Sequence, residues 1–418
     1  MNVCFISAEY PPLVGGVGDY TRHLAGGLTR LGSRVTVMTG TGASAEHQGP
    51  AELEWQTRVV QATSSWGWKS LGKIEAELAA ANPDVIHIQY QTLAYGMHPA
   101  ICMLPRWLRW RGHHTPVVTT FHDVMEPYLF PKAGPLRRWV TSSFAGSSDG
   151  VVATNGADAA TLEAWLAGAR STRRASSIEV IPIGSNIGPP RPDGTEPAWA
   201  RQQLGITNDT AIIGFYGFVN PSKGIDTLIR AFDILRSGGS DAHLVFFGAP
   251  APGGPAGQTS EYTVAAARTQ VAAAGLESHV TWRGYQSPAT VSRWLHALDC
   301  CVLPFSDGAS PRHGTLLTAL AHGAATVTTR PRQAPIDGPL PWLRDGEQCL
   351  QVDARNPRQL ASAIATVLAG GALRLRLVES ARRWAAQFDW DTIAGQTLSH
   401  YVRTLARARS GFALQVQP

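Results

Sequence analysis

Two doubly wound α/β domains, each a parallel sheet clothed in helices, are what this sequence predicts, and three observations carry that reading. Short β-branched runs alternate with helical stretches over nearly the whole chain, as parallel sheets with crossover helices require. At 418 residues the chain is too long for one ordinary core. A polar Pro/Gly-rich segment, GSNIGPPRPDGT from Gly184 to Thr195, divides two similar alternating series and reads as a linker.

In the first series the pattern predicts strands over Asn2–Ser7, Arg34–Thr39, Val85–Gln89, Pro116–Phe121, Gly150–Thr154 and Ile178–Ile181. VIHIQ and VVTTF are apolar or β-branched nearly end to end, as in strands buried on both faces. Helices are expected between them, as over Gly18–Leu31 and Leu71–Ala81. The second series predicts strands over Ala211–Gly217, His243–Gly248, Val280–Arg283, Cys300–Pro304, Ala325–Thr329 and Gln348–Val352. Ala251–Gln258, APGGPAGQ, reads as a loop just ahead of a helix. In folds of this kind ligands bind at the carboxyl ends of the strands, and two facing halves would put the site in the cleft between them.

Composition narrows the function classes. Hydrophobic residues make up 44% and charged residues 16%, which excludes a disordered chain and fits a well-packed soluble one. No run approaches the roughly 18 apolar residues of a membrane helix. The first strand is expected to begin at Met1, which leaves no room for a signal peptide. Cys4, Cys102, Cys300, Cys301 and Cys349 are scattered, form no CxxC pair, and fit a reducing cytosol. A net charge of +5 suits an anionic partner, and no nucleic-acid motif accompanies it.

Several short stretches carry chemistry. Gly15-Gly16-Val17-Gly18 lies between a strand and a helix, where glycines admit a ligand close to the backbone and the helix N-terminus favours an anion. It is no GxGxxG, so a dinucleotide dehydrogenase gains little support. The competing reading is a tight turn. His122 ends the strand PVVTTF and opens FHDV at a strand's carboxyl end, with Asp123 beside it; a histidine satisfied by backbone is the plainer alternative. His87, inside VIHIQY, reads as core or near-site packing. Lys223 sits in NPSKGID after one strand and before a helix, a place where lysines are usually solvated.

Taken together the motifs resemble the family 4 retaining glycosyltransferases of the GT-B fold, nearly from end to end. AEYPPLVGGVGDYTRHLAGGL is similar to that family's first strand, glycine loop and helix. FYGFVNPSKGIDTLIRAF is similar to its second-domain lysine motif; ALDCCVLPF, ALAHGAATVTT and DGEQCLQVDARNPRQLASAI follow in family order. FDWDTIAGQTLSHYVRTL resembles the final helix that crosses back to the first domain. The resemblance implies an acceptor-side domain over residues 1–188, a nucleotide-sugar donor domain over 189–388, and the returning helix over 389–418. It implies retaining transfer of a hexosyl group from a nucleotide-diphosphate sugar, with UDP-sugars and GDP-mannose as leading donors. The acceptor would be a glycan, a lipid-linked molecule or a small molecule. No metal and no cofactor beyond the nucleotide-sugar co-substrate is expected.

On the same resemblance, Lys223 would neutralise the departing diphosphate, His122 would lie near donor sugar and acceptor, and Asp123 would hold an acceptor hydroxyl. Gly15 and Gly16 would approach the donor, and Tyr285 in RGYQSP would meet the nucleobase or merely pack. Two departures stand out. The arginine usually found five residues before the lysine is replaced by Phe218. In SPRHGTLLTALAHG the two glutamates of the family pattern, with seven residues between them, become Ser310 and Thr318. Neutral hydroxyls bind more weakly than carboxylates.

The helix starting near Gly314 would still offer free N–H groups at Gly314 and Thr315, and Arg312 and His313 add positive character. Arg312 would then replace the cation lost at Phe218. Two other readings stay open: a nucleotide-binding pseudoenzyme serving as an assembly partner, and a nucleotide-sugar epimerase. The second would need acid/base carboxylates, for which Glu9, Asp123 and Glu126 are the first-domain choices.

LPRWLRWRGHH, Leu104 to His114, alternates tryptophan and arginine on an expected helix, with PLRRWV close behind. Trp107 and Trp110 would share a face, suited to peripheral contact with an anionic bilayer at the cytoplasmic side, or to inward packing.

Overall fold

The computed structural model describes residues 1–13, 15–41, 57–125, 134–168, 178–188, 192–248, 250, 254–310, 312–332 and 342–415. The chain divides into two compact units, the first over Met1–Gly184 joined by Phe388–Pro418, the second within Ser185–Gln387.

The first unit is built on seven strands: β1 Asn2–Ser7, β2 Arg34–Gly40, β3 Arg58–Thr63, β4 Val85–Tyr90, β5 Val117–Phe121, β6 Gly150–Ala153 and β7 Ile178–Val180. They pair in parallel in the order β3-β2-β1-β4-β5-β6-β7. Between them run α1 Gly16–Arg30, α2 Ser70–Ala81, α3 Ala100–Trp110, α4 Gly134–Ser147 and α5 Gly156–Gly168. β1, β4 and β5 are buried at every residue but Asn2, which explains their near-continuous apolar and β-branched runs. Strand β3 was not expected. It is one of the two edge strands, RVVQAT, only partly buried, and its polar residues dilute the apolar signal.

The second unit repeats the plan with β8 Ala211–Tyr216, β9 Ala242–Phe247, β10 Val280–Trp282, β11 Cys300–Leu303, β12 Thr326–Thr329 and β13 Leu350–Val352, all parallel. Their order is β10-β9-β8-β11-β12-β13. Its helices are α6 Glu196–Leu204, α7 Ile225–Ser237, α8 Gly254–Ala273, α9 Pro288–Ala297, α10 Gly314–Ala321, α11 Pro357–Leu368 and α12 Gly371–Ala385. The expected loop Ala251–Gln258 is corrected here: α8 begins at Gly254, inside it, while 251–253 fall outside the described residues. In each sheet the order reverses once, between β1 and β4 and between β8 and β11. Those are the positions where loops on either side diverge and leave room for a ligand.

The last helix, α13 Trp390–Gln415, belongs to the first unit. Gly27 of α1 permits this packing, because a Cβ there would lie 2.7 Å from the Ala394 Cβ and 3.0 Å from the Trp390 carbonyl oxygen. Ile393, Ala394 and Tyr401 are fully buried, each worth on the order of 1–3 kcal/mol according to size. Glu179 in β7 accepts from His400 at 2.8 Å and from Arg403. The Arg30–Asp391 pair is 44% and 68% exposed and contributes little by comparison. No single helix among the described residues is long and apolar enough to cross a membrane.

Candidate functional site

At the strand-order reversal of the first unit, the carboxyl ends of β1, β4 and β5 lie side by side: Ser7 pairs with Gln89, and Gln89 with Thr120. His122 follows directly on β5. Its backbone N–H donates to the Tyr90 carbonyl at 2.9 Å, and its Nε2 meets Gln89 Oε1 at 2.8 Å. Tyr20 of α1 presents its ring edge-on to the imidazole at 4.6 Å between centroids. Desolvation pushes the His122 pKa down to about 3, so the ring is neutral across the physiological range. His122 is therefore no acid at neutral pH; it can only donate or accept a hydrogen bond as imidazole.

Asp123 turns away from free service. Its Oδ1 accepts from the Thr92 hydroxyl at 3.2 Å and from the Met125 N–H at 3.2 Å, which shapes the loop. Desolvation nevertheless raises its pKa, partly offset by these bonds. His87 is fully buried with Tyr401 Oη 2.5 Å from Nδ1 and Thr120 Oγ1 2.7 Å from Nε2, a packing residue as expected.

The glycine loop holds a surprise. The N-terminus of α1 was expected to face a ligand's anion, yet the Glu9 carboxylate lies against this loop, where the Val17 and Gly18 N–H groups favour its charged form. The anion favoured by that helix end is supplied by the chain itself. A Cβ on Gly15 would lie 2.1 Å from Glu9 Oε2, so the Glu9 side chain would have to move aside, while Gly16 has open space around it. Desolvation is the largest influence on Glu9 and raises its pKa, with nearby Asp19 adding to the rise. Of the three carboxylates considered for epimerase chemistry, Glu9 and Asp123 are thus engaged by backbone groups, and Glu126 lies outside the described residues.

In the second unit the ends of β8 and β11 gather the cations. Lys223 closes a 3-10 turn, Pro221–Lys223, that the Asn220 side chain caps at Ser222 N–H, 3.1 Å. Gly224 follows with φ +65°, and a Cβ there would lie 2.0 Å from the Pro304 carbonyl oxygen, so the two loops touch backbone to backbone. Lys223 Nζ stands 4.7 Å from the centroid of the Phe305 ring, and Phe305 stacks on His313 at 3.8 Å. Desolvation lowers Lys223 to about 8, and Asp307 opposes that shift.

His313 is the N-cap of α10. Its Nδ1 accepts the Ser310 N–H at 3.2 Å, so in the neutral ring the proton lies on Nε2, ready to donate. Desolvation, then the charges of Lys223 and Arg312, hold its pKa well below the usual value. Lys223, His313 and Arg312 therefore act on one another at the N-terminus of α10. Ser310 Oγ accepts the Arg312 N–H at 3.3 Å. Thr315 packs its methyl against Gly217, and its Oγ1 is buried without a partner. Thr318 is 1% exposed with its hydroxyl 3.0 Å from Ser185 Oγ. Phe218 is half-buried. Tyr285 stands 63% exposed after the edge strand β10, two strands away from β8.

Sequence reasoning overlooked Gln89 and Phe305, which connect the expected residues to one another. The signal available for Gln89 was a polar side chain near the carboxyl end of an otherwise apolar central strand.

Paired parallel α/β sheets, both in the doubly wound order and with a cationic cluster at the second switch point, define a GT-B glycosyltransferase fold. Residues 15–184 match the glycosyl transferase 4-like domain, and residues 210–370 match the glycosyl transferases group 1 family. Over 97% of this chain and 99% of its own, Anabaena HepE in complex with UDP-glucose superposes with a TM-score of 0.71 at 18% identity. The D-inositol 3-phosphate glycosyltransferase of Nocardioides sp. is 30% identical over 56% of this chain, which spans 50% of that relative's length. Its counterpart in Corynebacterium urealyticum is 26% identical over 96% of this chain and 95% of its own. The chain belongs to the family 4 glycosyltransferases.

Proposed function

We propose that the protein transfers a hexosyl group, with retention of anomeric configuration, from a nucleotide-diphosphate sugar to a hydroxyl acceptor. The observation that carries this reading is the Lys223–Phe305–His313 stack at the start of α10. It presents an ammonium and a neutral N–H donor beside free helix N–H groups, the arrangement that stabilises charge growing on a leaving diphosphate. Arg312 adds a second cation and replaces the one absent at Phe218, so that protein groups, with no metal, meet the diphosphate charge. Gly15, Gly16 and Tyr285 border the donor, and Ser310, Thr315 and Thr318 offer it hydroxyls. His122 meets a substrate hydroxyl, with Asp123 shaping the loop beside it.

HepE binds UDP-glucose, which makes a UDP-sugar the first donor to test and GDP-mannose the second. The relatives' activity on D-inositol 3-phosphate makes a phosphorylated cyclitol the first acceptor. Each donor is incubated with the full-length protein and D-inositol 3-phosphate, and the anomeric proton of the product is followed by NMR. A product with the donor's configuration supports the reading; an inverted product contradicts retention. The pseudoenzyme reading has one observation in its favour, the burial of Thr318 against Ser185 where the family carries a carboxylate. Nucleotide binding without turnover of any donor would favour it.

Peripheral membrane contact is a second, separable proposal. Trp107 packs partly into the core and donates to Glu75 at 3.2 Å, whereas Trp110 is 75% exposed, so the two tryptophans do not serve alike. Trp110 on α3, with Trp139 of α4 exposed by 49% and Arg106 over its ring at 5.7 Å, forms an aromatic and basic surface. Such a surface suits an anionic bilayer at its cytoplasmic face.

A further inference from the structure

We propose that Gln89 is a positioning residue that keeps the His122 proton on Nε2 and leaves Nδ1 as a bare acceptor for a substrate hydroxyl. This inference rests on the reading of His122 as a substrate-contacting group. An amide oxygen has lone pairs and no proton, so a 2.8 Å contact from Gln89 Oε1 to His122 Nε2 requires the imidazole to donate there. A neutral ring carries one N–H, and Nδ1 must then accept.

The amide rests against His87 from behind. Gln89 Nε2 lies 3.3 Å and 3.5 Å from the two ring nitrogens of His87, which are themselves bonded to the Tyr401 and Thr120 hydroxyls. His87 is gripped in turn by Thr120 of β5 and by Tyr401 of α13. A chain of side chains thus runs from the returning helix to His122: Tyr401, His87, Gln89, His122. A second route joins the same helix to the same ring, with Trp390 against Tyr20 at 5.2 Å and Tyr20 against His122 at 4.6 Å. The rotation of the imidazole and the placement of its proton are both set from α13.

The groups facing His122 are Tyr20 from α1, Gln89 and His87 from β4, and the neighbouring Asp123, whose carboxylate is taken up by Thr92 and Met125. A carboxylate at position 89 would change this balance. It would accept the same Nε2–H while favouring the imidazolium, and protonation would remove the Nδ1 lone pair.

The experiment uses full-length protein with ring-15N-labelled histidine, in wild type, Gln89→Leu, Gln89→Glu and Tyr401→Phe. His122 is assigned by its loss in His122→Asn. Long-range 1H–15N spectra from pH 5 to 8 report the tautomer without any substrate. Thermal denaturation identifies variants that fail to fold. Hydrolysis of UDP-glucose across the same pH range reports function.

In wild type the Nε2–H tautomer is expected throughout. Gln89→Leu should mix the tautomers, and Gln89→Glu should bring a His122 titration into the range and add an acidic limb to the hydrolysis profile. Tyr401→Phe should shift the tautomer balance more weakly than Gln89→Leu. An Nδ1–H tautomer in wild type, as a reversed Gln89 amide would produce, overturns the inference, as does a tautomer unchanged in Gln89→Leu. If the tautomer behaves as expected while hydrolysis ignores every variant, Gln89 positions His122 but the ring does not touch substrate, and the acceptor-lone-pair proposal is overturned. Should wild type bind UDP-glucose and not hydrolyse it, the pH dependence of that binding is read in place of hydrolysis, with the same two outcomes.

Discussion

Replacing Lys223 with methionine should make the ligand-free protein more stable and its nucleotide binding weaker, and the structure sets the size of both effects. Desolvation takes the ammonium from 10.5 to about 8. Below pH 8 the folded protein carries the full cost of holding that charge in a half-buried place. Between pH 8 and 10.5 the unfolded chain keeps a proton that folded Lys223 has released, so this residue's contribution to stability rises with pH across that window. At 1.36 kcal/mol per pH unit, discounted for remaining solvent contact, Lys223→Met should stabilise the free protein by on the order of 2 kcal/mol at pH 7. That corresponds to a Tm increase of roughly 4–8 °C.

Binding runs the other way. A diphosphate beside the ammonium restores its charged form, so affinity should be level below pH 8 and fall about tenfold between pH 7 and pH 9. Calorimetry with UDP, in buffers of different ionisation enthalpy, would show proton uptake on binding above pH 8. Lys223→Met should lose on the order of 2 kcal/mol of binding at pH 7 together with the pH dependence. Lys223→Arg, always charged, should keep part of the affinity with a level profile. Wild-type affinity that is unchanged from pH 7 to 9, or a methionine variant with the wild-type slope, would show that Lys223 does not titrate beside the bound diphosphate.

The other predictions test single features. Gly224→Ala forces a side chain into a left-handed conformation 2.0 Å from the Pro304 oxygen and should lower stability by about 3 kcal/mol or more, read by urea denaturation. Gly27→Val should loosen α13 from α1, exposing the last helix to limited proteolysis while β-sheet circular dichroism is retained. His122→Asn should lower donor turnover on the order of a hundredfold with a Tm within a few degrees of wild type. Trp110→Ala should reduce flotation of the protein with anionic vesicles, whereas Trp107→Phe should leave flotation unchanged and cost stability instead.

Much of the fold could be read from the residues alone, for a simple reason. Central strands of a parallel sheet are buried on both faces, so VIHIQ, VVTTF and CCVL announce themselves by apolar and β-branched continuity. Strand β3 has one open edge and escaped notice on the same grounds. The start of α8 was hidden because Gly254-Pro255 looks like turn chemistry, although proline at a helix's first positions is compatible with helical backbone.

The candidate site divides in the same way. His122 follows β5 directly and Lys223 closes the turn between β8 and α7, where position in the chain already implies position in the fold. Glu9 on the α1 amides, Gln89 behind His122, and Phe305 between Lys223 and His313 depend on side chains converging from different strands, which no local pattern encodes.

On the proposed function the second unit still holds a working donor site, with Arg312 in the place of the lost cation. Calorimetric binding of UDP, GDP, ADP and dTDP to wild type and Arg312→Ala tests it most directly. One nucleotide should bind selectively and lose at least tenfold in affinity with Arg312 removed. Selective binding indifferent to Arg312 would keep the donor site and refute that compensation, and no binding to any of the four would contradict the account itself.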